Sequence, residues 1–207
     1  MKIEVIKVFI SCPEDIVQET TALNIIKIKL DNINNHYKIH GLQFDLIHWK
    51  NDLSPRRGEP RVQDSINKRL IENCDIFLGI LWTKFGSSPG VSLEGEAYSS
   101  GTEEEFYFAQ KMHKEPRILF CTIPVSHSKI NPQLAKEIEI IRSFKDNLEK
   151  EDICYGSYED DNELKKHLDN IFLSWIKDRY NMVPREREKK EEPVPIREDF
   201  LSENKGF

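Results

Sequence analysis

Behind Asp75 the residues IFLGILW, 76–82, run without a polar break. That is too short for an ordinary helix and too apolar for a strand with one face in water. A strand of this pattern is covered on both faces, as strands of parallel sheets are. Strand-like runs also occur at 3–10 (IEVIKVFI), 44–49 (FDLIHW) and 117–123 (RILFCTI), with a weaker one at 153–158 (ICYGSY). Helix-length stretches separate them, so neighbouring strands join by crossovers and not by hairpins. The order predicts a flavodoxin-like three-layer α/β sandwich around a five-stranded parallel sheet, strand order 2-1-3-4-5. Ligands of such folds sit beyond the carboxyl ends of the strands. The loops to question are therefore 11–15, 50–60, 83–101 and 124–131.

The helical segments carry their own marks. Pro13 suits a first turn, with Ser11 or Cys12 at its cap. From there to about Asn35, Leu23, Ile26, Leu30 and Ile33 make one continuous stripe. Val62, Ile66, Leu70 and Ile71 mark a second helix, and a third is expected from about Thr102 to His113. Another follows Pro132, and the last carries Leu164, Leu168, Ile171, Phe172, Trp175 and Ile176. The domain is expected to span residues 1–183. Residues 184–207 are more than half charged and hold few apolar side chains, which reads as a solvated tail or a linker to a further domain.

Charge and composition narrow the function. Thirty Lys and Arg against 36 Asp and Glu give a net charge of −6, which argues against direct nucleic-acid binding by this domain. No apolar stretch approaches the roughly 20 residues that cross a bilayer, and the N-terminus lacks the features of a signal peptide. The cysteines, Cys12, Cys74, Cys121 and Cys154, form no CxxC pair, and three lie in or beside apolar runs. A reduced, cytoplasmic protein without a metal site is the expectation. There is no P-loop, no dinucleotide fingerprint, no GxSxG and no HExxH.

What stands out is SGTEEEFYFA, residues 100–109, in which three acids open a helix after the central strand. Acids in a first turn favour the helix dipole, and both Ser100 with Glu103 and Thr102 with Glu105 fit a capping box. Capping alone therefore accounts for them. Only one box can operate, however, and Glu105 shares the face of Phe108, Ala109 and Met112. A carboxylate on an apolar face beside a cleft is how functional acids are placed. Glu103 and Glu104 are expected to face solvent.

Together VFISCPEDIVQET (8–20), SINKRLIENCDIFLGILWTKFG (65–86) and SGTEEEFYFA resemble the TIR-like domains at the N-termini of bacterial STAND/NACHT-type defence proteins. Those domains are relatives of Toll/interleukin-1 receptor domains and, more distantly, of nucleoside 2-deoxyribosyltransferases. The resemblance covers about residues 5–115. Enzymatic members use a glutamate on the helix after the third strand, four residues before a small residue, as Glu105 stands to Ala109. The usual tryptophan-cysteine pair before it is replaced here by Gly101-Thr102.

The resemblance implies an NADase that cleaves the nicotinamide–ribose bond, with NAD as substrate and no further cofactor. It also implies self-association, a C-terminal sensor or oligomerisation domain, and a role in antiviral defence. Glu105 would be catalytic. Ser11, Cys12, Pro13 and Asp15, in the first turn, are candidates to bind the pyrophosphate. Arg56, Arg57 or Arg61 would clamp phosphate oxygens, unless they are simply solvated. Phe85 and Tyr98, in loops, are the candidates to stack on a ring; for Phe9 and Trp82 core packing is the better reading. Two other readings stay open: a non-catalytic interaction module, and a nucleoside deoxyribosyltransferase-like enzyme.

Overall fold

A computed structural model describes residues 2–53, 61–92 and 95–182. The expected tail, 184–207, lies outside the described residues, as do Arg56 and Arg57. The chain runs β1 (Glu4–Ser11), α1 (Glu14–Glu19), α2 (Ala22–Tyr37), β2 (Leu42–Ile47), α3 (Trp49–Asp52), α4 (Val62–Ile66), β3 (Ile76–Leu81), α5 (Gly101–Lys111), β4 (Arg117–Cys121), α6 (Pro132–Lys150), β5 (Gly156–Tyr158) and α7 (Asp161–Tyr180). The five strands pair in parallel in the order β2-β1-β3-β4-β5, the flavodoxin-like arrangement.

Alternation along the strands divides the core into two layers. Val8 and Ile10 of β1 and Leu78 and Ile80 of β3 pack with Ile26 and Leu30 of α2 and Leu168 and Phe172 of α7. Phe9, Phe77 and Leu81 point the other way, against Ile66, Phe106, Phe144 and Leu148 from α4, α5 and α6. All six residues of β3 are buried, as an interior strand requires. Gly79 marks the tightest point of the sheet: a Cβ there would come within 2.4 Å of Ile118 Cδ1.

Two helices depart from the sequence expectation. The first stripe breaks at Thr20, whose extended backbone ends α1. Its hydroxyl donates to the Ile16 carbonyl at 2.7 Å and accepts from the Ala22 N–H at 3.2 Å, offering the backbone an alternative to the helix. The second stripe starts on Val62, which is 63% exposed; Gln63 takes the buried position instead. After Ile66 the helix widens into a π-type turn, Asn67–Ile71, a form enriched at functional sites.

Because Leu78 is fully buried in the layer shared with α2 and α7, Leu78→Asp would strand an unpaired charge there. The expected outcome is loss of the cooperative far-UV circular dichroism melt; a soluble variant melting like the parent would refute the placement of β3.

Candidate active site

Chain order places β2 on one side of β1 and β3 on the other, so the connections diverge at the carboxyl ends of β1 and β3. Clefts form at such switch points. Here the cleft is a cavity of about 590 Å³, with walls from Cys12 and Pro13, Trp49 and Lys50, Gln63, Gly86–Pro89 and the start of α5. That volume lies within the ordinary range for small-molecule sites.

The start of α5 resolves the question of the three acids. Ser100 is the N-cap: its hydroxyl accepts from the Glu103 N–H at 3.0 Å, and Glu103 reaches back to accept from the Ser99 N–H at 2.6 Å. Glu103 therefore does the capping. Glu105 faces the cavity wall and is 5% exposed. Its Oε2 accepts from the Ser11 hydroxyl at 2.5 Å and its Oε1 from the Gln63 side-chain amide at 2.9 Å. Burial pushes its carboxyl up to about 7; the hydrogen bonds from Gln63 and Ser11 oppose that, and the charge of Glu104 adds to it.

Glu104 corrects the sequence expectation. It is 3% exposed, not on the solvent side. The reason is Arg61, whose two terminal nitrogens donate to Glu104 at 2.7 and 3.2 Å, while Asn67 adds a hydrogen bond at 2.8 Å. Arg61 also donates to Asp64, at 2.6 Å from Nη2, and to the carbonyls of Pro89 and Gly90. With its guanidinium committed in this way, Arg61 is a structural pin and not a free phosphate clamp. Gln63 links the two carboxylates, because its amide also reaches the Asn67 side chain at 3.2 Å. The approach needs a glycine at position 101, where a Cβ would lie 2.7 Å from Gln63 Oε1.

The other sequence candidates separate. Ser11 meets Glu105, and Cys12 and Pro13 line the cavity. Burial pushes the Cys12 thiol up to about 12, with Glu105 and Asp15 adding, which disfavours its thiolate form. Asp15 is fully buried and does not line the cavity. Its Oδ2 accepts from the backbone and hydroxyl of Thr83, both at 2.8 Å, and from the Lys84 N–H at 3.0 Å, which ties the β3–α5 loop to the first turn. Phe85 is 1% exposed and packs on Phe144, so this loop aromatic is a core residue. Tyr98 stacks on Tyr107, donates its hydroxyl to Glu96 and faces a separate depression on the outer side of α5. Neither is at the cavity.

Sequence reading missed Gln63, Asn67, Lys50 and Lys84. The signal for the first two was present: Gln63 and Asn67 are polar residues four apart on a stripe continued by Leu70 and Ile71. Among the described residues no cluster of His, Cys, Asp and Glu is arranged to hold a metal ion, and no helix is long and apolar enough to cross a membrane.

The family model described as "Domain of unknown function (DUF4062)" matches residues 7–172. The chain belongs to this family. Among solved structures, the solution structure of BlsM is similar to the DUF4062 chain at 16% identity and a TM-score of 0.42, covering 89% of this chain and 99% of BlsM. No curated protein matches it.

Burial of Glu105 predicts a pH-dependent stability. Its folded pKa lies above the unfolded value, so the folded state holds the proton more tightly and stability is lost as pH rises toward 7. Glu105→Gln removes that charge, so its stability relative to the parent should improve by about 2 kcal/mol from pH 5 to pH 8. Urea titrations at the two pH values check this; a constant difference would mean the carboxyl is not desolvated.

Proposed function

We propose that this DUF4062 domain is an N-ribosyl hydrolase that cleaves the nicotinamide–ribose bond of NAD, with Glu105 as the catalytic carboxylate. One observation carries the reading: a buried carboxylate, held on both oxygens, at a cavity beyond the carboxyl ends of the central strands.

The chemistry suits a single carboxylate. The bond from ribose C1′ to the pyridinium nitrogen breaks with its electron pair going to nitrogen, so neutral nicotinamide leaves without needing a proton. Positive charge develops on the ribose, and a carboxylate in a water-poor wall stabilises it. Water then bonds to C1′ and loses a proton to solvent, giving ADP-ribose, nicotinamide and a proton. Ser11 and Gln63 keep the carboxylate from rotating, so it is oriented before charge develops. Self-association of the domain and a defence role belong to the same proposal. They rest on the resemblance of residues 8–20, 65–86 and 100–109 to TIR-like domains.

A second reading has one observation in its favour. A carboxyl near 7 is partly protonated at neutral pH, as a general acid for a neutral nucleobase would be. The pH profile separates the two. If the carboxylate acts, kcat/KM for NAD rises with pH through about 7 and levels off; if the acid acts, the rate falls through the same range and a deoxynucleoside is the better substrate.

Nicotinamide release should be measured on concentrated protein. Glu105→Gln should lower turnover by about 10²-fold or more, while Glu103→Gln, which only weakens a cap, should stay near the parent. Turnover per molecule should rise with protein concentration if protomers assemble to act. No nicotinamide at any concentration would leave the interaction-module reading.

A further inference from the structure

A second cavity, of about 450 Å³, opens at the same edge of the sheet, between the segments that follow β3 and β4. Its walls include Trp82, Lys84, Val125, Lys129, Gln133 and Leu134. It adjoins the Glu105 cavity, since Lys84 and Glu137 line both. The half-buried Trp82 is fixed by its indole N–H, which donates to the Ile123 carbonyl at 2.9 Å. A planar, immobilised ring is what a purine stacks on at little ordering cost.

Charges in this second cavity are committed, with one exception. Lys129 pairs with Glu19. Glu137 accepts from the Phe85 N–H at 2.9 Å with one oxygen and from the Gln133 amide at 3.3 Å with the other. The backbone of Lys84 is tied to Asp15, but its exposed ammonium forms no ion pair among the described residues. Its charge is felt by Glu19 across the cavity without a contact ion pair, and it stands on the wall common to both cavities.

We propose that the two cavities take one bipartite ligand, a dinucleotide, with its purine nucleotide half against Trp82 and its anionic phosphate linker at Lys84. The inference deepens the proposed hydrolase reading, in which the Glu105 cavity holds the half that is cleaved. It also selects among substrates of one chemistry. A single nucleoside fills one cavity, whereas a pyrophosphate-linked pair of nucleosides fills both.

Two-dimensional NMR with separate halves of the ligand tests this. AMP should shift the Trp82 indole signal and the amides of Lys84, Val125 and Leu134, and leave Gln63 and Gly101 unmoved. Nicotinamide riboside should do the reverse. NAD, added to Glu105→Gln so that it is not consumed, should move both sets. Lys84→Ala, a change at an exposed side chain, should weaken AMP and NAD about tenfold and nicotinamide riboside little. Leu134→Trp should block AMP by filling the chamber. AMP that moves only the Gly101 set, moves nothing, or binds Lys84→Ala as tightly as the parent overturns the proposal. If AMP binds beside Trp82 but NAD is never cleaved, the hydrolase reading falls and the dinucleotide site stands. If NAD is cleaved and AMP fails these tests, the hydrolase stands and the second cavity is no part of it.

Discussion

Two neighbouring carboxylates are buried at the start of α5, and among the described residues only one has a cation. Glu104 has Arg61 against both oxygens; Glu105 has two neutral donors, Ser11 and Gln63. Everything near the cavity follows from that asymmetry. A buried charge without its partner costs several kcal/mol, so Arg61 must stay where it is, and with it the chain segments it holds at Asp64, Pro89 and Gly90. Glu105 is left with a desolvated carboxyl whose pKa burial raises and Glu104 raises further.

The same asymmetry explains why the fold was legible in the sequence and the site only in part. The sheet follows from hydrophobic period alone: β3 is apolar throughout, while β1 alternates between layers at its buried end, and both patterns are local. Position 105 was legible for a similar reason, since it shares a helix face with Ala109, which is fully buried. Glu104 was not, because what permits its burial is an arginine 43 positions earlier in the chain. No local pattern announces such a pairing. Phe85, offered by its loop position as a ring to stack on, drops onto Phe144 of α6, a contact between distant segments. Thr20 was a different kind of miss. Its hydroxyl competes with the backbone, and the apolar stripe on either side concealed the break.

Gln63 shows how packing and chemistry are joined here. Its amide donates to Glu105 and to Asn67, and Asn67 donates to Glu104, so one short helix addresses both carboxylates. The close approach of Gln63 uses the missing Cβ at residue 101, and Asn67 opens the π-type turn after Ile66. Networks of this kind are rigid when fully satisfied, since any one member that moves leaves another unpaired in a low-dielectric interior. The fixed placement of the Glu105 carboxylate owes more to that rigidity than to the modest stability each bond supplies.

Asp15 extends the rigidity to the far side of the cleft. It touches neither cavity, yet it holds Thr83 and Lys84, the first residues of the loop that forms the wall between them. The loop after β3 must leave the sheet, pass over the carboxyl edge and return at Ser100, and a connection of that length is ordinarily the most variable part of such a fold. Here its start is fixed to α1 through Asp15 and its middle is held to Arg61 at Pro89 and Gly90. Its end is closed by the Gly101 N–H on the Ser87 carbonyl. Three separate ties turn a long loop into a wall. The backbone of Lys84, and with it the root of its exposed side chain, is therefore placed by the fold.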